Sequence, residues 1–182
     1  MQGKFNDKKL KNTAKECAFL AVFVAMVFAA QLALSFLPGV ELVTLLFVCY
    51  AFVMGWKRGV FAATVFSLLR QMLFGFFPNV LALYLIYYNL LALSFGLLGK
   101  KIKNPVKNLP IIVGAACVGT ICFTLIDDII TPLWGAYTVK ATQAYFYASL
   151  TVVIPQVICT AVSVSCLFLP LWKVFKGARK KL

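Results

Sequence analysis

The sequence predicts an all-α membrane protein with six transmembrane helices and both termini cytoplasmic, and three observations carry that expectation. The composition is 63% hydrophobic with a mean hydropathy of +0.94, far above the roughly half-apolar composition of soluble domains. Six apolar runs follow one another, separated by Pro-Gly, Lys-Arg or lysine-rich breaks. The basic residues sit in short clusters at every second break, which is how charge orients membrane spans rather than how it builds a nucleic-acid surface.

Each span is read from the roughly 20 apolar residues needed to cross a bilayer. Residues 1–14 are a polar, basic cytoplasmic segment. Span one then runs from about Lys15 to Leu37 and stops at Pro38-Gly39. Its apolar run is too long for a signal-peptide core, so it is expected to be retained. Span two covers about Leu42 to Trp56, and span three runs from Gly59 to about Gly75 after a tight Lys57-Arg58 turn. Span four is expected from about Val80 to Leu98. Span five runs from Leu109 to about Ile130, where Thr131-Pro132 should break it. Span six runs from about Ala144 to Trp172, with Pro155 and Pro170 expected to kink or end it. The six spans form one substrate-binding domain, residues 15–172, and residues 173–182 are a basic cytoplasmic tail.

Orientation follows from the cations. Sixteen of the eighteen Lys and Arg residues precede span one, join spans two and three, join spans four and five, or follow span six. An even number of spans puts all sixteen on one side, and the positive-inside rule makes that side the cytoplasm. The two exceptions, Arg70 and Lys140, belong to the outer half.

Arg70 is the sharpest functional signal. It lies with Gln71 inside the apolar run Val65–Phe77, about five residues, or roughly 7 to 8 Å, from the outer end of span three. Insertion scales put the cost of an arginine at the bilayer centre at about 2.5 to 3.5 kcal/mol, so such a residue normally faces a bundle interior and has a partner. Glu41, Asp127 and Asp128 fall at a similar depth, and Glu41 or Asp127 is the expected partner. The alternatives are a structural ion pair that only joins helices, or a side chain snorkelling to the interface. Tyr84 and Tyr88, at i and i+4, share one face of span four deeper than an aromatic belt requires, so a flat ligand ring stacked there competes with the belt reading. Asn89, Gln71 and Asn79 add directional hydrogen-bonding groups nearby. The candidate binding set is thus Arg70, Glu41, Asp127, Tyr84, Tyr88, Asn89, Gln71 and Asn79.

Span one carries a second signal. Ala14, Ala18, Ala21, Ala25 and Ala29 recur at spacings of 4, 3, 4 and 4, forming a small-residue stripe that lets another helix approach closely. That helix belongs either to another subunit or to this chain.

Several activities are excluded or disfavoured. There is no histidine, which removes zinc-protease and Ser-His protease chemistry. There is no Gly-x-x-x-x-Gly-Lys-Ser/Thr phosphate loop, so any ATP hydrolysis must come from partners. Asp127-Asp128 is a single acidic pair, where Mg²⁺-dependent prenyl transfer needs two aspartate-rich motifs. The six cysteines lie inside apolar runs with no C-x-x-C pair and read as small packing residues. The expectation is therefore no catalytic residue, no metal, no cofactor in this chain and no nucleic-acid partner.

Six short spans in fewer than 200 residues, cytoplasmic termini, the Ala-x-x-x-Ala stripe and the segment LPGVELVTLLFVCYAFVMGWKRGVFAATVFSLL together resemble the substrate-binding S component of energy-coupling factor (ECF) transporters, over almost the whole chain. The resemblance implies a multi-pass protein of the bacterial cell membrane that binds a vitamin or related heterocyclic micronutrient near the outer face. It implies docking on a transmembrane coupling subunit driven by two ATPase subunits, followed by rotation in the membrane to release the ligand inside. Ala18, Ala21, Ala25 and Ala29 would then be the docking face and the loop Leu37 to Glu41 the outer gate. Metal-specific members use an N-terminal histidine, so nickel and cobalt are disfavoured here. With two outer cations against three anions, a neutral, zwitterionic or weakly charged ligand is favoured over a polyanion. A stand-alone six-helix secondary transporter is the main rival reading, and a membrane-embedded enzyme a lesser one.

Overall fold

A computed structural model describes the backbone of residues 2–34, 36 and 42–181, with side chains from Thr13 onward. Every regular element among the described residues is a helix: α1 (Gln2–Leu34), α2 (Val43–Met54), α3 (Trp56–Phe74), α4 (Pro78–Lys101), α5 (Leu109–Trp134) and α6 (Val139–Arg179). Thr13–Leu34 of α1, α4, α5 and α6 are each long and apolar enough to cross a membrane. Their outward faces carry large apolar side chains, such as Val22, Ile86, Ile129 and Ile158. Apolar groups on the outside of the bundle as well as within it mark a membrane-embedded helical protein.

The bundle is built around α2. All twelve of its residues are buried, and it touches every other helix. Within a bilayer such enclosure is gained by side-chain packing rather than by removal from water, and α2 has neighbours to pack against on every side. The adjacent contacts are close because the residues are small. Ala51 of α2, Gly59 of α3 and Ala92 of α4 meet, and Gly96 and Gly99 of α4 press against the backbone at Trp56 and Phe52. At the turn itself Gly55 has φ +89°, a conformation that costs a side-chain-bearing residue energy. Aromatic rings fill the wider gaps: Phe23 of α1 stacks on Tyr50 of α2 at 3.9 Å between centroids.

Polar contacts bring the basic segments together at one end of the bundle. Arg58 in the first turn of α3 pairs with Glu16 of α1. Arg179 near the end of α6 donates to the Val53 carbonyl at 2.6 Å, satisfying one of the carbonyls that the end of α2 leaves open. The ammonium of Lys100, at the end of α4, lies 5.9 Å from the Trp56 ring. At the opposite end α5 and α6 are joined by Tyr145 to Asp127 (2.7 Å) and Ser149 to Asp128 (2.8 Å). Midway, Thr120 and Thr160 hydroxyls meet at 3.0 Å.

Five features differ from the sequence expectation. The basic segment before residue 15 is a continuation of α1 from Gln2, and the basic tail continues α6 to Arg179. α2 has only twelve residues, about 18 Å of helix, shorter than the expected span. Thr131-Pro132 does not break α5, which continues to Trp134. α6 passes through both Pro155 and Pro170 without ending and reaches 41 residues, about 62 Å. Proline removes one backbone donor and crowds the preceding turn, but a long helix held along its length by neighbours survives that loss, as proline-containing membrane helices do.

Candidate functional site

The polar residues in the half of the bundle away from the basic end fall into two groups. The first gathers on Tyr84 of α4, which is 8% exposed. The guanidinium carbon of Arg70, from α3, lies 4.3 Å from the centre of its ring and 5.2 Å from that of Phe74. Gln31, near the end of α1, donates through Nε2 to the Tyr84 hydroxyl at 3.4 Å. Beneath them Phe66 (6.2 Å), Tyr88 (5.1 Å) and Phe123 (6.1 Å between centroids) pack around Tyr84. Three helices thus bring an arginine, an amide and a phenol to one point above an aromatic floor.

Two atoms in this group lack a hydrogen-bond partner although buried: the donor Arg70 Nε and the acceptor Gln31 Oε1. Leaving a buried polar atom unsatisfied costs about 1 to 3 kcal/mol, and such atoms in a native fold call for an explanation. A ligand that supplies the missing partners is the explanation with functional content.

The second group lies between α5 and α6. Asp127 accepts from Thr131 and Tyr145, each at 2.7 Å, so its two oxygens are occupied by this chain's own hydroxyls. Asp128 is 8% exposed, accepts from Ser149 through Oδ2, and has Oδ1 buried without a donor. Among the described residues no Cα of α3 comes within 8 Å of α5 or α6, and the ion pair formed is Arg58 with Glu16, so Asp127 is not the partner of Arg70. The ring of Tyr84, supplied by the intervening α4, takes that place instead.

The other candidates are distributed as follows. Glu41, together with the rest of the Leu37 to Glu41 segment, lies outside the described residues. Tyr88 is enclosed by the rings of Phe47, Phe66, Tyr84 and Tyr87, so it forms the floor and leaves no face for a ligand ring. Asn89 accepts from Thr64 at 3.2 Å and ties α4 to α3. Gln71 is buried and receives the Phe77 backbone N–H at 3.0 Å, clamping the turn between α3 and α4, while its Nε2 is unpartnered. Asn79 is half-buried in the first turn of α4. Gln31 was not singled out from the sequence, although it carries the same signal as Arg70, a polar side chain within an apolar run.

The alanine stripe lies on a different surface. Ala14, Ala18, Ala21, Ala25 and Ala29 are all exposed, whereas Phe23, Val24, Val27 and Phe28 of the same helix are buried. Ala21 and Ala25 line one wall of a groove of about 640 Å³, and Phe61, Val65, Leu69 and Met72 of α3 line the other. Among the described residues the backbone of α1 comes close only to α2 and α3, and the stripe is exposed beside α3 rather than enclosed in the core.

No protein-family description, no curated protein and no solved structure matches the chain.

Proposed function

We propose that the chain is the substrate-binding S component of an ECF-type importer, binding a vitamin or related heterocyclic micronutrient near the outer face and delivering it to an ATP-driven coupling module. In this reading the six helices lie in the bacterial cell membrane with both termini cytoplasmic. The end that gathers Arg58, Lys100 and Arg179 faces inward, as the positive-inside rule requires. The group around Arg70 and Tyr84 then lies in the outer half. The chain itself is not an enzyme, and ATP is hydrolysed by the two ATPase subunits of the complex.

The observation that carries the reading is the exposure of the alanine stripe. Had Ala18, Ala21, Ala25 and Ala29 packed inside the bundle, they would be ordinary core residues. They face outward instead, beside an apolar groove, while the polar group lies on the inward side of other helices. Two separated features, one for a helix of another subunit and one for a small polar ligand, are what an S component requires. A stand-alone secondary transporter has use for the second feature only.

The test is to replace Ala21 or Ala25 by Trp in the full chain, expressed with the coupling subunit and both ATPases. Each variant is expected to retain ligand binding, to lose co-purification with the coupling subunit and to abolish uptake. Normal co-purification and uptake in both variants overturns the docking assignment.

A further inference from the structure

We infer that the ligand of the Arg70 group carries a single anionic oxygen group of carboxylate type, received by Arg70, next to a hydrogen-bond donor received by Gln31. The inference rests on the binding-subunit reading above and adds the chemistry of what is bound.

Arginine is ionised at any accessible pH, and Arg70 is half-buried in a membrane-embedded bundle. Its guanidinium rests against the rings of Tyr84 and Phe74, which satisfy part of a cation's field but accept none of its N–H bonds. Each acid whose side chain is described is engaged elsewhere. Glu16 pairs with Arg58 at the basic end. Asp127 and Asp128 take hydroxyls of α5 and α6, and no Cα of either helix comes within 8 Å of α3 among the described residues. The described residues therefore leave a cation with a buried, unpartnered Nε, where removal from water makes an opposite charge worth most.

The shape of the group limits the anion. Guanidinium donors lie in one plane and match a planar two-oxygen group in a paired, parallel fashion. A phosphate dianion calls for more positive charge, and the other cation of this half, Lys140, is exposed in the first turn of α6, a helix α3 does not touch. One cation fits a monoanion. Gln31 completes the pattern. Its Nε2 is spent on Tyr84 while Oε1 is buried and unused, and an amide oxygen takes an N–H or O–H. Both side chains converge on Tyr84, so the ligand's anionic oxygen and its donor lie on neighbouring atoms or rings.

The experiment uses the full chain purified in detergent, without its partners. Small molecules released by denaturation are identified by mass spectrometry, and the released compound is titrated back against its own primary amide. In parallel, nicotinate and nicotinamide, p-aminobenzoate and p-aminobenzamide, and indole-3-acetate and indole-3-acetamide are tested by thermal stabilisation. The expected result is a released monoanion whose amide binds about 30-fold or more weakly, the usual loss when one partner of a buried charge pair is removed. In Arg70→Gln the acid should fall to the level of the amide, and Gln31→Leu should weaken both. A released compound with no acidic group, or acid and amide binding alike to the unaltered chain, overturns the inference and leaves the binding-subunit reading standing. The acid-against-amide comparison needs no variant, so misfolding of Arg70→Gln does not blunt it. Nothing released, and no stabilisation by any acid or amide, overturns both the inference and the binding-subunit reading on which it rests. An Arg70 whose charge is balanced by Glu41 gives a different result: Glu41→Gln then loosens the fold while acid and amide still bind alike, and the inference fails.

Discussion

Replacing Gly96 by alanine tests the close approach on which the centre of the bundle depends. A methyl group at Gly96 would lie 2.7 Å from Trp56 Cβ and closer still to the Trp56 main-chain nitrogen and Cα. Carbon atoms in contact rest about 3.5 to 4.0 Å apart, so α4 must move away from the α2–α3 turn by about 1 Å. Forcing extra volume into a packed core costs about 1 to 3 kcal/mol, and backbone gives way less readily than a flexible side chain. Against this stands the helical preference of alanine over glycine, about 1 kcal/mol. With main-chain atoms as the obstacle the upper part of the packing cost, about 2 to 3 kcal/mol, applies, and the net expectation is a loss of about 1 to 2 kcal/mol. Gly114→Ala supplies the control, because a methyl there meets nothing within 4 Å. That variant keeps the helical gain of about 0.5 to 1 kcal/mol. The assay is thermal unfolding in one detergent, followed by size-exclusion fluorescence. At about 2 to 4 °C per kcal/mol for a chain of this size, the two variants should separate by about 3 to 12 °C, Gly114→Ala above the parent and Gly96→Ala below it. If Gly96→Ala proves as stable as Gly114→Ala, α4 does not approach the turn as described.

Three further outcomes follow from contacts described above. Thr120→Val and Thr160→Val, singly and together, should give a coupling of about 0.6 to 1.7 kcal/mol, the range for hydrogen bonds between membrane helices; a double-mutant cycle in detergent measures it. Gln71→Leu removes the acceptor of the Phe77 N–H and should cost about 1 to 3 kcal/mol by leaving that donor unpaired, seen as lowered thermal stability and faster proteolysis at Phe76-Phe77. Glu16→Gln breaks the pair with Arg58, whose side chains are about 40% exposed, so the loss should stay within about 1 kcal/mol and vanish at high salt.

Much of the fold is legible in the sequence because a bilayer imposes length and apolarity on whatever crosses it. α1, α4, α5 and α6 announce themselves by uninterrupted apolar runs. The ends are legible only to the extent that local chemistry decides them. Pro132 reads as a stop, yet α5 continues two residues beyond it because a turn near a helix end can spare a backbone bond when Gly135 N–H reaches the Thr131 carbonyl. Lysines before residue 15 and after residue 172 read as tails, but charge does not oppose helix, and both segments extend the helices they flank. The candidate site was legible where a polar residue interrupts an apolar run, as at Arg70 and Gln71. What the run does not encode is direction. Asp127 and Arg70 lie at similar depth but form no ion pair, and Asn89 faces Thr64. Gln31 carries the same signal as Arg70, but an uncharged amide costs less to insert than a guanidinium and stands out less. The meaning of Gly96 and Gly99 depends wholly on which helix crosses them, a long-range fact with no local pattern.

The enclosure of α2 separates its length from the thickness of the membrane. A helix in contact with lipid is matched to the hydrocarbon slab by tilt or by local thinning when it is too long or too short. α2 meets only protein, so its twelve residues are sized by the five helices around it. A bilayer that thickens or thins acts on the outer helices and reaches the centre only through them. The middle of the protein is thereby insulated from the lipid that suspends it, and a fold organised in this way can keep one internal geometry in membranes of different composition.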